Sequence, residues 1–182
     1  YKRQVMNIAE RVAKEDFPIF IGGEAGTGKK LLAKKIHLMS ERKERECVLV
    51  HCASINEKQL ELELFGMCDR PGAIVRASGG TLILDSVEEL SERVQLKILR
   101  FLMSGEFYSL DSTKPISLNV RVISISKVDL RQEVEEGRFN SDLMYRLNIM
   151  NMKLPSLRQR KNDIKILSES FINNSKSIED KV

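Results

Sequence analysis

The pattern of apolar residues along the chain switches repeatedly between helical spacing and short uninterrupted runs. Apolar residues spaced three or four apart predict helices over 5–12, 31–38 and 94–103. Short apolar runs predict buried strands at 19–21 and 48–50, and the segments TLILD (81–85) and VRVISIS (120–126) predict two more. Strands and helices therefore alternate along most of the chain.

Short strands separated by helices imply a parallel sheet, because parallel neighbours need crossover connections and both faces of such a sheet must be covered. The predicted class is α/β, in three layers. Sheets of this kind bind ligands at the carboxyl ends of their strands. The glycines at 22–23 and the carboxylate of Asp85 both follow predicted strands, so both are expected at that edge.

Composition narrows the class of protein without identifying a ligand. The chain has 182 residues, 42% of them hydrophobic and 31% charged, which is typical of one globular domain. No apolar run reaches membrane-spanning length, so we expect a cytoplasmic protein with no membrane contact. The net charge of +4 permits acidic partners but is too small to predict a DNA-binding surface. Because the chain begins without Met and ends in a polar tail, we expect it to be part of a longer protein.

Residues 23–29 read Gly-Glu-Ala-Gly-Thr-Gly-Lys and satisfy the phosphate-loop pattern G-x-x-x-x-G-K, with a predicted strand before it and a helix after it. Glycines let backbone N–H groups turn toward an anion, and the Lys29 ammonium can reach the outer phosphates. Position 30 is Lys where the general motif has a Ser or Thr that holds magnesium. Lys30 either opposes a divalent metal or is a solvated helix residue. The predicted nucleotide-binding residues are Gly23, Glu24, Ala25, Gly26, Thr27, Gly28, Lys29, Lys30 and Leu31.

The segment GEAGTGKKLLAKKIH, residues 23–37, resembles the corresponding motif of sigma-54-dependent activators, a family within the AAA+ ATPases. Further segments resemble successive motifs of that family, namely ELELFG (61–66), ASGGTLILD (77–85), VQLKILRFLMSGEFYSL (94–110), NVRVISIS (119–126), GRFNSDLMYRLN (137–148) and LPSLRQRKNDI (154–164). The resemblance implies an AAA+ P-loop NTPase core over residues 1–165. Residues 166–182 would begin a lid helix and a polar tail, with most of the small helical lid absent from the chain.

The resemblance also implies hexameric rings that hydrolyse ATP between subunits and remodel RNA polymerase holding sigma-54. It assigns Asp85 to catalysis and to the magnesium shell, and it assigns Arg146 to a finger that acts across the subunit boundary. ATP or ADP is the implied ligand, and whether Mg²⁺ binds with it is left open.

Several positions depart from the family pattern at the residues that carry hydrolysis. Asp85 is followed by Ser86 where the family has a Glu that activates water, and a serine hydroxyl is a poor general base. Asn140 replaces the first of two finger arginines, a contact that can be worth ~10³ or more in rate. The chain also differs from the family pattern at His51 and at residues 126–127, which correspond to the family's sensor pair. We therefore predict loss of hydrolysis with retention of the fold.

The segment between Gly66 and Gly79 is too short for the family's GAFTGA loop, whose tip touches sigma-54. Pro71-Gly72 predicts a tight turn in its place. Glu88 and Glu89 are interpreted as a solvated helix start rather than as substitute bases. A basic stretch is interpreted as a solvated face, comprising Lys34, Lys35, Arg42, Lys43 and Arg45.

Three hypotheses about function follow. The favoured one is a nucleotide-binding regulatory and oligomerisation domain of a bacterial transcription regulator, deficient in hydrolysis and in sigma-54 contact. Its expected partners are further copies of itself in a ring or dimer, DNA through a domain outside the chain, and RNA polymerase indirectly. The second is an active ATPase of a sigma-54 activator, with Glu88 or Glu89 as the base. The third is a domain that senses cyclic di-GMP, in loose resemblance to biofilm regulators of the VpsR type.

Overall fold

A computed structural model describes residues 2–53, 56–161, 163–164 and 168 of the chain. The helices are α1 (Lys2–Ala13), α2 (Lys29–Leu38), α3 (Glu57–Phe65), α4 (Ala73–Arg76), α5 (Glu92–Ser104), α6 (Leu130–Glu135) and α7 (Ser141–Leu147). The strands are β1 (Ile19–Gly22), β2 (Cys47–His51), β3 (Thr81–Asp85), β4 (Glu106–Phe107), β5 (Ile116–Ser117), β6 (Arg121–Ser126) and β7 (Met150–Lys153).

Five strands form one sheet in the order β2-β3-β6-β1-β7, and every neighbouring pair in it is parallel. The order departs from the chain order because each helical crossover returns the chain to a different position in the sheet. β4 and β5 form a separate antiparallel pair. The α/β prediction is confirmed, and the carboxyl ends of the five strands share one edge.

Two hydrophobic clusters cover the two faces of the sheet and create three layers. Successive strand residues point to opposite faces, so Leu82 and Leu84 of β3 belong to one cluster while Ile83 belongs to the other. The cluster around Leu82 includes residues of α3, α5 and α7. The cluster around Ile83 includes residues of α1 and α2. Burial on both faces explains why β3 reads as an uninterrupted apolar run.

Each helix and strand predicted from periodicity is present. The prediction missed β7, where only Met152 of the four residues is buried, and it did not resolve the shorter helices. The predicted lid helix and tail at 166–182 lie outside the described residues, apart from Ser168. Within the described part of the chain, no helix is long and apolar enough to cross a membrane.

Arg42 was predicted to lie on a solvated face, and for this residue the prediction is wrong. Its side chain is 10% exposed and donates to both carboxylate oxygens of Asp16, at 2.9 and 3.0 Å. It also donates to the carbonyl oxygen of Gly80 and to Asn119. The other four basic residues of that stretch are exposed, as predicted. Arg42 therefore ties together segments that lie far apart in sequence, at the end of the sheet opposite the glycine-rich loop.

Candidate functional site

The glycine-rich loop connects the end of β1 to the start of α2, as the phosphate-loop pattern predicts. Gly26 and Gly28 have φ values of 77° and 95°, in the left-handed region where a side chain is strained. At Gly23 a β-carbon would lie 2.6 Å from the carbonyl oxygen of Leu154. Glycine is therefore required at these positions for the loop to close over the start of α2.

Lys29 is the first residue of α2 and bends back over the loop. Its Nζ donates to the carbonyl oxygens of Gly23 at 2.5 Å and Glu24 at 2.7 Å. Burial lowers the pKa of the Lys29 ammonium, and the nearby Asp85 carboxylate partly opposes that effect. The ammonium thus lies at the mouth of the loop, where an incoming phosphate could replace the two carbonyl oxygens.

Two arginines from the segment after β7 bind the outside of the same loop. Arg158 forms an ion pair with both carboxylate oxygens of Glu24, one of them at 2.8 Å. Arg160 donates to the carbonyl oxygen of Thr27 at 2.8 Å. Sequence reasoning assigned neither residue a role, since 133 or more positions separate each arginine from its partner. These contacts tie the loop to the segment that leads toward the predicted lid.

A cleft of about 490 Å³ opens beside the loop. Its walls combine residues 25–31 with Asp85, Ser86, Ile125 and Lys127. A neighbouring cavity of about 580 Å³ includes Gly23 and Glu24. The structure therefore brings the predicted loop residues and Asp85 together. Arg146 does not line this cleft, and its side chain is exposed on α7.

One carboxylate oxygen of Asp85 contacts two nitrogen atoms from other side chains. Lys30 Nζ lies 2.9 Å from Asp85 Oδ2, and His51 Nδ1 lies 2.9 Å from the same atom. β2 and β3 are paired in register with His51 opposite Asp85, which places the histidine beside the carboxylate. Lys30 is an exposed helix residue, with 51% of its side chain exposed, and its ammonium nevertheless contacts Asp85. The alternative, a cation that opposes a divalent metal, agrees with this geometry.

The residues after Asp85 form a second set of ion pairs. Lys127 Nζ lies 2.8 Å from Glu89 Oε1, and its backbone N–H donates to Glu88 Oε1 at 3.3 Å. The hydrogen bond that Lys127 donates to Glu89 raises the pKa of the Lys127 ammonium. The Glu88 side chain is only 5% exposed, so its interpretation as part of a solvated helix start is wrong. Ser86 itself adopts a left-handed conformation at φ 62°, a backbone strain of the kind often found at functional sites.

The altered sensor and finger positions have structural partners. The Ser126 hydroxyl donates to the carbonyl oxygen of Val128 at 2.9 Å and accepts from its N–H. The Asn140 side chain accepts from the N–H of Leu143 and caps α7. Asparagine is a favoured N-cap residue, so at this position it stabilises the helix that carries Arg146. Neither side chain provides a cation for a phosphate.

A short turn stands where the sequence predicted loss of the sigma-54-contacting loop. Gly66 ends α3 and pairs with Pro71 in an isolated antiparallel bridge. Between them, the N–H of Met67 donates to the carbonyl oxygen of Arg70 at 2.8 Å. The prediction of a turn at Pro71-Gly72 is therefore displaced by a few residues, since Gly72 is instead the N-cap of α4. The segment between Gly66 and Gly79 thus consists of this turn followed by α4.

Comparisons with known proteins agree with this architecture. The family model of the Sigma-54 interaction domain matches residues 2–153. The transcriptional regulatory protein FlbD of Caulobacter vibrioides is 40% identical over 93% of this chain and 39% of its own length. The Nif-specific regulatory protein of Azotobacter vinelandii is 42% identical over 93% of this chain and 34% of its own length.

Among solved structures, NtrX of Brucella abortus in complex with ATP has a TM-score of 0.91 and 37% identity. The similarity covers 94% of this chain and 41% of NtrX. The chain thus spans less than half of the length of each of these relatives. From the matched motifs, the parallel sheet and these similarities, we conclude that the chain belongs to the sigma-54 interaction domain family.

Proposed function

We propose that this chain is a nucleotide-binding regulatory and oligomerisation domain of a bacterial transcription regulator, with little ATP hydrolysis and no contact with sigma-54. One observation carries the proposal. The phosphate loop is complete, while the adjacent strand ends in Asp85-Ser86 with the Asp85 carboxylate already bound by Lys30 and His51. Such a site is equipped to bind a nucleotide but lacks a free carboxylate at the position of the water-activating Glu.

Nucleotide binding is supported by the loop and the cleft beside it. Lys29 is held at the loop mouth, and the N-terminus of α2 presents unpaired N–H groups to an anion. NtrX, at a TM-score of 0.91, was solved in complexes with ATP and with ADP. ATP and ADP are therefore the proposed ligands, bound by residues 23–31.

Weak hydrolysis is supported by the partners of the acidic side chains around the cleft. Asp85 is paired with Lys30 and His51, and Glu89 is paired with Lys127. A general base must reach the attacking water and accept its proton. In each pair the carboxylate oxygen already contacts a nitrogen group, so it would have to give up that contact to receive a proton from water.

The absence of sigma-54 contact is supported by the short turn at 67–70. That turn is closed by the bridge between Gly66 and Pro71. A nucleotide-driven change acts on a partner only through an element whose interaction with it differs between the two states. We propose that regulation instead runs through assembly of copies of this chain, with Arg146 available on an exposed helix, and through a DNA-binding domain elsewhere in the protein.

One observation favours a second candidate, an active ATPase. Glu88 Oε2 is buried and has no hydrogen-bond partner among the described residues, so Glu88 is the residue on which that activity would depend. Comparing ATP turnover by the wild type and by Glu88→Gln separates the candidates. Turnover that disappears in the variant would favour the ATPase.

Titration of labelled ATP tests nucleotide binding directly. Lys29→Ala should weaken binding about 10-fold or more, because a hydrogen bond to a charged group contributes ~1.5–3 kcal/mol. Lys35→Ala is the matched control, since it removes an exposed lysine from the same helix and should leave affinity unchanged. Equal binding by Lys29→Ala and wild type would remove the phosphate-loop assignment. A parallel titration with cyclic di-GMP tests the third hypothesis, and tight binding there would replace the proposal.

A further inference from the structure

The Asp85 carboxylate lies at the position that the fold assigns to the magnesium shell, and a cation from the chain already occupies it. Lys30 Nζ and His51 Nδ1 each lie 2.9 Å from Asp85 Oδ2. The two nitrogens are 3.4 Å apart. The Asp85 side chain is 11% exposed, whereas the Lys30 and His51 side chains are 51% and 44% exposed.

These residues do not fit a magnesium ion. Mg²⁺ requires oxygen ligands in near-octahedral geometry at ~2.0–2.1 Å, whereas Asp85 Oδ2 is bound by two nitrogen groups. Position 30 presents an ammonium, which cannot coordinate a cation and would repel one placed on Asp85.

The cleft carries positive charge of its own beside the phosphate loop. Lys29, Lys30 and Lys127 line it together with Asp85, and Lys127 is paired with Glu89. A free nucleoside triphosphate has about two more negative charges than its Mg²⁺ complex, since the ion carries a charge of +2. The ammonium groups of Lys29 and Lys30 therefore favour the metal-free form over the complex.

We propose that the Lys30 ammonium, positioned by Asp85 and His51, takes the place of Mg²⁺, so that the site binds metal-free nucleoside di- or triphosphates. The inference rests on the proposed nucleotide-binding function and adds which ionic form is bound and which residue selects it. Lys30 is the selecting residue because its ammonium contacts the carboxylate that would otherwise bind the metal. His51 is a positioning residue that holds the same oxygen from β2.

Calorimetric titration of the full chain with ATP tests the proposal, once with excess EDTA and once with excess Mg²⁺. The wild type should bind at least as tightly in EDTA as in Mg²⁺. Lys30→Glu should bind about 10-fold or more weakly in EDTA, because one charge-assisted contact is replaced by repulsion, and Mg²⁺ should restore its binding. Lys30→Met keeps the aliphatic stem without the charge and should lose affinity mainly in EDTA. Lys35→Ala should behave as the wild type in both buffers.

Thermal unfolding of each variant separates a loss of fold from a loss of ligand contact. The proposal is overturned if the wild type binds about 10-fold or more tightly with Mg²⁺, or if Lys30→Glu and Lys30→Met keep the wild-type ratio of the two affinities. Lys29→Ala distinguishes this failure from failure of the proposed function. If Lys29→Ala binds as the wild type does in both buffers, the phosphate-loop assignment is wrong. If it loses binding while the wild type requires Mg²⁺, only the role of Lys30 is wrong.

Discussion

Replacing Arg42 by alanine should strongly reduce the free energy of unfolding. The Arg42 guanidinium donates to Asp16, to the carbonyl oxygen of Gly80 and to two oxygens of Asn119, one of them at 2.6 Å. Its side chain is 10% exposed and that of Asp16 is 71% exposed. The ion pair with Asp16 is therefore screened by water, whereas the contact with Gly80 is buried.

The two kinds of contact contribute unequal free energies. An exposed ion pair is worth ~0.2–1 kcal/mol, while a buried hydrogen bond that involves a charged group contributes ~1.5–3 kcal/mol. Arg42→Ala removes both kinds of contact, but the carbonyl oxygens of Gly80 and Asn119 keep the backbone donors of Arg121 and Gly79, so we expect a loss of ~2–3 kcal/mol. Asp16→Asn should cost ~1 kcal/mol or less. Arg42→Lys should fall between them, because an ammonium cannot reproduce the planar fork.

Urea denaturation followed by circular dichroism measures these differences, with Lys43→Ala as the control at an exposed neighbour. The control should lie within ~0.5 kcal/mol of the wild type. The hydrogen bond from Arg42 lowers the pKa of Asp16 below 3.8. The ion-pair part of the stabilisation is therefore complete above pH 3.8 and is lost as the pH falls through the lowered pKa. A loss below ~1 kcal/mol for Arg42→Ala, or an equal loss for Asp16→Asn, would refute the reasoning.

Three further outcomes are expected. Burial lowers the pKa of His37 below 6.5, so just below pH 6.5 the unfolded chain binds a proton that the folded chain does not. The free energy of unfolding should therefore fall as the pH drops below 6.5. Denaturation at pH values from 7.5 to 5 should show a smaller decrease in this free energy for His37→Gln than for the wild type. Steady-state ATP turnover should be near background, and a rate of ~1 s⁻¹ or more would contradict this. Faster turnover by Ser86→Glu than by the wild type would locate the defect at the missing base. If the turn at 67–70 makes no contact with sigma-54, as proposed, the protein should not form open complexes at a sigma-54 promoter in vitro. ATP-dependent opening that requires this domain would contradict the proposal.

The phosphate loop and most strands could be predicted from the sequence because their signals are local. Glycines at fixed spacing before a lysine specify a turn whose backbone geometry few other residues permit. The 81–85 run is buried on both faces, so its composition alone distinguishes it from an exposed segment. β7 gave no such signal, because it alternates buried and exposed residues over only four positions. Its pairing with β1 makes it a strand.

The amino-acid sequence by itself determined the fold class, the ligand-binding edge of the sheet and the chemical types of the residues there. Only the tertiary structure decided which of those residues meet. The sequence did not show that Lys30 contacts Asp85 or that Glu88 is buried, because the order β2-β3-β6-β1 brings their partners beside them. His51 faces Asp85 because two parallel strands pair in one register. Register and strand order depend on packing between distant segments, which helical or strand periodicity does not encode.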